Sequence, residues 1–185
     1  MQRDLVIDAR AGDHDAFNAL VAGSIDRLHA VARLILRDDD LARDGVQDAL
    51  VRAWIGLPGL RDPDRFDAWL HRLLVNACYR AARDERNHRV VEIGSLSADA
   101  LAIGDAQHGV AVRDQLSRGF ARLSMNERAV VALHYYLDLS DAAAAAALAI
   151  PVGTLKSRLS RATQALRAAI EADERADEQP GESIA

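Results

Sequence analysis

Along most of this chain, apolar positions recur every three or four residues, the period of helices with one buried face. Phe17, Leu20, Val21, Leu28, Val31 and Ile35 predict one long amphipathic helix over residues 13–37. A second helix follows in "RDDDLARDGVQDALVRAW", with Asp39 or Asp40 as the expected N-cap. Its apolar face is Val46, Ala49, Leu50, Ala53 and Trp54. Gly45 inside it weakens the helix by about 1 kcal/mol against Ala. "GLPGL" breaks the pattern, and Asp62-Pro63 restarts it, a capping residue followed by a first-turn proline. The third helix runs through "DRFDAWLHRLLVNACYRAARDER", with Phe66, Trp69, Leu70, Leu73 and Ala77 as its core stripe. By phase, Trp54 and Trp69 are both core residues. Three helices joined by short breaks predict a compact domain over residues 10–86.

The period is lost over residues 87–111, which contain three Gly with scattered Ser and Asp. This stretch is expected to be a flexible linker, with Val90, Val91, Ile93 and Leu96 free to dock elsewhere. Helical patterning returns from residue 112. "SMNE" offers a capping box, Ser124 with Glu127 three residues on, ahead of the helix "RAVVALHYYL". Leu139 and Ser140 open a short alanine-rich helix ending near Leu148. "AIPVG" is a tight turn, and "GTLKSRLSRATQALR" is the last helix. The fold class is therefore all-α, two small helical domains (10–86 and 112–170) joined by a linker.

Composition supports helix over strand: half of the residues are hydrophobic but only 4% are aromatic. The lone Cys78 excludes an internal disulfide and a Cys-rich zinc site. The formal net charge is -5. Residues 171–185 hold six acidic residues and one Arg, so the first 170 residues are near neutral. That acidic tail, with Pro180 and Gly181, is expected to be disordered. "MQRDLVIDAR" lacks a signal-peptide apolar segment, and no stretch has the length of a membrane span, so a soluble, cytoplasmic protein is expected. The six histidines are scattered, none at metal-ligand spacing with another His or Cys. "RDDDLARDG" fails the calcium-loop spacing. No metal, cofactor or enzymatic activity is expected.

Gly153–Arg167 carries four basic residues and no acidic one. At about 100° per residue, Leu155, Leu159, Ala162 and Leu166 share one face. The opposite face holds Ser157, Ser160, Arg161 and Gln164, with Thr154 at its edge and Lys156 and Arg158 on the flanks. A short helix, a tight turn and such a helix make a helix-turn-helix, whose outward side chains reach base edges while flanking cations hold phosphates. On the third helix, Arg65, Arg72, Asn76, Tyr79 and Arg83 form a stripe apart from the core. Cations, an amide and a ring suit single-stranded or melting DNA; taken alone, the stripe is better read as a solvated basic face.

The strings "DGVQDALVRAW", "RFDAWLHRLLVNACYRAARDER", "LSMNERAVVALHYY" and "LSDAAAAAALAIPVGTLKSRLSRA" resemble, in order and spacing, bacterial RNA polymerase sigma factors. The chain is similar to the extracytoplasmic-function (ECF) group, which keeps only regions two and four. The resemblance implies that region two docks on the clamp coiled coil of the largest polymerase subunit through Asp44, Gln47, Asp48 and Arg52. It implies that Arg72, Asn76, Tyr79, Arg80 and Arg83 lie where the minus-ten element is opened and read. Thr154, Lys156, Ser157, Arg158 and Arg161 lie on the helix that reads the minus-thirty-five element. Core polymerase, including its second-largest subunit, promoter DNA and an anti-sigma factor are the implied partners.

Departures from the family pattern are Gly45 for an aliphatic residue beside the docking acids, Arg80 for Asp or Asn, and Ser124 for Pro. Ala143, Ala144 and Ala149 stand where Glu, Ile and Gly are usual. Losing a buried Ile side chain costs about 2–5 kcal/mol, so region four is expected to be loosely packed unless a neighbour compensates. Two alternatives explain less of the chain. A stand-alone helix-turn-helix regulator leaves residues 10–86 without a role. A helical interaction protein that has lost DNA binding leaves the basic helix without one.

Overall fold

A computed structural model describes residues 1–91 and 117–177, and all regular structure among them is helical. In chain order the helices are α1 (Gln2–Arg10), α2 (His14–Ala22), α3 (Ile25–Leu36), α4 (Asp39–Gly56) and α5 (Phe66–Val91). Residues 117–122 are helical, and α6 (Met125–Val131), α7 (Asp141–Leu148) and α8 (Val152–Asp177) follow.

The helix expected over 13–37 is two helices. Asp13 caps α2 by accepting from the backbone N–H groups of Asp15 and Ala16. The chain then turns at Gly23–Ser24, where the Ser24 hydroxyl donates to the Val21 carbonyl at 2.9 Å. Ser and Gly compete with the helical ladder, so the apolar phase continues while the axis breaks. Phe17, Val21, Leu28, Val31 and Ile35 are buried as their spacing requires. Helix α1 lies before residue 10, yet its Val6 and Ala9 are buried in the same core. The cap of α4 is Asp38, whose carboxylate accepts from Leu41 N–H, and not Asp39 or Asp40. Asp39 instead meets Arg33 at 3.1 Å and Arg43 at 2.8 Å, two cations that leave its carboxylate committed elsewhere.

Asp62 caps a single 3-10 turn, Pro63–Arg65, which leads into α5. Phe66, Leu70, Leu74, Ala77 and Cys78 are buried, while Trp69 and Leu73 are half-buried at the edge of the core. Trp54 stacks on His14 (4.2 Å between ring centroids) and meets Phe17 edge-on. Helix α5 continues through residue 91, so the first residues of the expected linker are helical. Residues 92–116, with Ile93 and Leu96, lie outside the described residues.

In the C-terminal part the capping box forms as its sequence requires. Ser124 Oγ accepts from Glu127 N–H, and the Glu127 carboxylate accepts from Ser124 N–H at 2.9 Å. The Ser124 hydroxyl also donates to the Glu127 carboxylate at 2.7 Å, and this bond, with the Ser124 N–H, holds the carboxyl below the usual carboxylate range. A π-helical turn, Ala132–Tyr136, extends α6. Ser140 caps α7, and Ala149 ends it in the left-handed conformation, φ 53°. Leu155, Ala162 and Ala169 are buried along α8, and Leu159 and Leu166 are half-buried beside them. Helix α8 runs through Asp177, beyond the expected start of a disordered tail at residue 171. Ala, Glu and Arg in residues 171–176 are good helix formers, and the first breaker is Pro180. Residues 178–185 lie outside the described residues.

The C-terminal helices lie against the N-terminal bundle. Helix α7 packs on α5, and α6 packs on α3. Ala144, Ala145 and Ala147 are therefore buried in one continuous core with Leu74, Cys78 and Leu133. The neighbour that fills the space left by the missing larger side chains is α5.

Candidate nucleic-acid interface

Three helix faces carry the candidate residues. On α4, Asp44, Gln47 and Arg52 are exposed and Asp48 is half-exposed. Positions 44, 48, 51 and 55 lie on one face by helical spacing. That face also presents two apolar side chains, Val51 (50% exposed) and Ile55 (71% exposed). Sequence reasoning passed over both. Their signal was an apolar pair out of phase with the core stripe, i and i+4 among charges. Exposed aliphatic residues ringed by acids and amides suit a protein partner.

On α5, Arg72, Asn76 and Arg83 are exposed, whereas Tyr79 and Arg80 are half-buried. Arg80 does not stand free: its guanidinium donates to Asp48 Oδ2 at 2.6 Å, and Arg52 donates to Asp48 Oδ1 at 2.8 Å. Burial pushes the Asp48 carboxyl up, but the hydrogen bonds and charges of Arg80 and Arg52 outweigh it and hold the group below its ordinary value. One residue of the candidate DNA set is thus tied to one of the candidate docking set. Tyr79 donates its hydroxyl hydrogen to Asn126 Oδ1 at 2.8 Å. Burial raises its phenol above the ordinary range, against the pull of the nearby Arg158 charge.

On α8, Lys156, Ser157, Ser160, Arg161 and Gln164 are exposed on the side away from Leu155 and Ala162, and Thr154 and Arg158 are half-exposed. The turn before it is set by Ala149, and Ile150 N–H reaches back to the Ala145 carbonyl at 3.0 Å. Two side chains are partly held within the chain. Lys156 lies 3.7 Å from Asp141, and the Ser157 hydroxyl donates to the Thr154 carbonyl. Arg161 keeps its guanidinium face in solvent, with Nε donating to the Ser157 carbonyl at 3.4 Å. This is a helix-turn-helix with a polar, cationic outer face, the geometry that enters a major groove.

Among the described residues no group of three or more His, Cys, Asp and Glu side chains could hold a metal ion. No described helix is long and apolar enough to cross a membrane. Cys78 is buried, and its thiol is pushed up to about 12.

The helical bundle followed by this helix-turn-helix belongs to a family: residues 20–88 match sigma-70 region 2 and residues 113–166 match sigma-70 region 4. The chain belongs to the sigma-70 family, ECF group, the non-enzymatic polymerase subunits that direct promoter-specific transcription initiation. It is 33% identical over 152 residues to the ECF RNA polymerase sigma factor SigM of Mycobacterium tuberculosis, covering 82% of this chain and 76% of that one. It is 29% identical over 177 residues to the ECF sigma-E factor of Escherichia coli, covering 88% and 90%. Among solved structures, CnrH in complex with the cytosolic domain of CnrY superimposes with a TM-score of 0.67 at 30% identity, over 93% of this chain and 98% of that one. The sigma factor RpoE in complex with the anti-sigma factor NepR, from Bartonella quintana, gives 0.73 at 29% identity, over 85% and 98%.

Proposed function

We propose that the three faces divide the work of initiation within the cytoplasm. The α4 face, Asp44, Gln47, Asp48 and Arg52 with Val51 and Ile55, docks on the clamp coiled coil of the largest polymerase subunit. The apolar pair supplies area there, and the charges fix register and steer encounter. The α5 face opens and reads the minus-ten element. Asn76 offers an exposed amide to a splayed base, Tyr79 a ring to stack, and Arg72 and Arg83 charge for the backbone. The α8 face reads the minus-thirty-five element, with Arg161 and Ser157 toward base edges, Thr154 at their margin, and Lys156 and Arg158 toward phosphates. Residues 10–86 and 112–170 are the functional units. Promoter DNA and the second-largest polymerase subunit complete the assembly.

The observation that carries this reading is the outer face of α8, polar and cationic opposite the fully buried Leu155, directly after the left-handed turn at Ala149. An anti-sigma factor is a further proposed partner, because solved sigma factors of similar fold are complexes with CnrY and with NepR.

Run-off transcription with core polymerase on a promoter library tests the division. Asn76→Ala should bind core normally and lose strand opening, read by permanganate footprinting. Loss of an amide contact to a base costs about 1–3 kcal/mol of discrimination. Equal melting by wild type and Asn76→Ala removes Asn76 from the assignment.

A further inference from the structure

Lys156, the α8 residue proposed to hold a phosphate, is tied to a carboxylate from outside the α8 face. Lys156 Nζ lies 3.7 Å from Asp141 Oδ2, and Asp141 stands in the first turn of α7. The pair therefore bridges the two helices of the helix-turn-helix across the turn set by Ala149. The other oxygen of the same carboxylate, Oδ1, lies 3.5 Å from His134 Nδ1. That nitrogen is buried and makes no hydrogen bond among the described residues. His134 sits in the π-helical turn Ala132–Tyr136, and the Tyr135 ring meets it edge-on at 4.7 Å. Such turns are rare and are frequent at functional sites.

The other ionisable side chains on the elements packed against the π-turn are engaged elsewhere or exposed. On α3, His29 and Arg33 face Asp39, Arg27 acts on His71, and Asp26 is exposed in the first turn. On α6, Glu127 is bound to Ser124, and Arg128 to the Ile35 and Leu123 carbonyls. Arg158 of α8 acts on Tyr79 and Glu127. Tyr135 and Tyr136 on the turn itself are exposed, as is Asp138 after it. Asp141 is the one ionisable residue of α7. The three linked side chains differ in freedom: His134 and Asp141 are 28% and 33% exposed, Lys156 is 65% exposed. The imidazole is held by its turn, whereas an ammonium stands on a flexible four-carbon stem. Imidazole is the side chain that gains charge between about pH 8 and about pH 5. With His134 neutral, Lys156 balances the Asp141 charge, and a DNA phosphate must draw it away. With His134 protonated, the carboxylate has a fixed cation at its other oxygen, and its attraction for Lys156 falls.

We propose that Asp141 is a positioning residue of the minus-thirty-five surface and His134 its proton switch: the carboxylate holds Lys156 back while the imidazole is neutral, and protonation of the imidazole from solvent releases Lys156 to the DNA backbone. The inference rests on the assignment of Lys156 to phosphate contact. Asp141 touches no base; it acts through Lys156. The consequence is a promoter affinity that rises as pH falls.

Nitrogen NMR of the full chain follows the His134 ring and Lys156 Nζ from about pH 8 to about pH 5.5, with His134→Gln and Lys156→Ala assigning the two signals. Lys156 Nζ should shift along the same curve as the His134 ring. Asp141→Asn should abolish that coupling while the ring still titrates. In parallel, holoenzyme binding to a duplex carrying a promoter that it transcribes is measured over a salt series at both ends of the range. Wild-type affinity should rise about threefold in acid, and the salt slope should steepen by up to about one, the value of one added phosphate contact. Asp141→Asn should bind at both pH values as wild type does in acid. His134→Gln should bind at both as wild type does at the alkaline end. Circular dichroism melts at both pH values exclude unfolding, and Asp141→Asn alone decides the matter if His134→Gln unfolds the helix-turn-helix. A Lys156 signal that ignores the His134 titration, or a pH response that survives Asp141→Asn undiminished, overturns the inference. A coupled titration in a chain whose Lys156→Ala variant binds promoter like wild type would overturn the phosphate assignment of Lys156 instead.

Discussion

Arg80 of α5 holds Asp48 of α4 at 2.6 Å, and the same carboxylate takes a second bond from Arg52. The bond joins two faces that the family resemblance assigns to different tasks, core docking and promoter opening. Arg80 also stands where the family resemblance has an acid or amide, and in this fold it is a strut between two helices. A double-mutant cycle of Asp48→Ala and Arg80→Ala in urea should give a coupling of about 0.5–1 kcal/mol, the range of partly exposed pairs. Asp48 has a depressed pKa in the fold, so its contribution is present above the ordinary carboxylate range and is lost as pH falls through the lowered value. The coupling should therefore vanish in strong acid. An additive cycle at neutral pH would show that the two residues act independently.

Two glycines of α4, one in its interior and one at its last position, should respond oppositely to alanine. A Cβ at Gly45 would sit 3.8 Å from Leu36 and 3.9 Å from the Cys78 sulfur, ordinary contact distances. Gly45→Ala should raise stability by about 1 kcal/mol, the helix-propensity gain. A Cβ at Gly56 would lie 3.1 Å from the Trp69 ring. Gly56→Ala must displace that ring and should destabilise by about 1 kcal/mol or more. Thermal melts decide both, and a stabilised Gly56→Ala would mean that Trp69 moves without cost.

Much of this architecture was legible in the sequence because it is local. The Ser124 capping box, the limits of α7 and the buried face of α3 follow from spacings within one helix. The misses have physical reasons. Helix α1 buries too few side chains, chiefly Val6 and Ala9, to show a period. The phase of Phe17 to Ile35 runs unbroken across Gly23–Ser24, which hid the bend. The Asp48–Arg80 and Tyr79–Asn126 contacts join residues 32 and 47 positions apart, and no periodicity encodes such pairs. The alanine helix announced a lack of bulk but not the neighbour that fills it.

Ala149 adopts φ 53°, a conformation that costs an L-residue about 1–2 kcal/mol and a glycine nothing. The resemblance has Gly at this position. Ala149→Gly should stabilise region four by about 1 kcal/mol, less part of the glycine's unfolded-state entropy. Melting of the full chain with a tryptophan-independent signal measures it, since both tryptophans lie in region two. A lower midpoint would show that the Ala149 methyl group makes a contact worth more than the strain.

His71 is half-buried, its Nδ1 is buried and lacks a hydrogen-bond partner, and burial lowers its pKa despite the nearby Asp67 carboxylate. A histidine kept neutral in the fold contributes stability that is full above its unfolded value, about 6.5. That contribution is lost as pH falls from there through the lowered folded value. Stability should therefore decline below about pH 6.5, and His71→Leu should flatten the decline in urea titrations. An unchanged slope in His71→Leu would place the acid sensitivity elsewhere.

The faces of α8 should fail in different ways. Arg161 is exposed opposite the core, so Arg161→Ala should relax or change the preferred upstream element. Lys156 is exposed on the flank and weakly held by Asp141, so Lys156→Ala should weaken all promoters alike and reduce the salt slope by about one. Leu155, and not the half-buried Leu159, is the fully buried leucine of the stripe. Leu155→Ala should cost about 2–5 kcal/mol and unfold region four, with Leu159→Ala costing less. Promoter-library transcription beside thermal melts separates these outcomes. Leu155→Ala abolishing transcription while Arg161→Ala and Lys156→Ala leave it untouched would make α8 a structural helix whose charges are only solvated, and would move minus-thirty-five reading to another surface of region four.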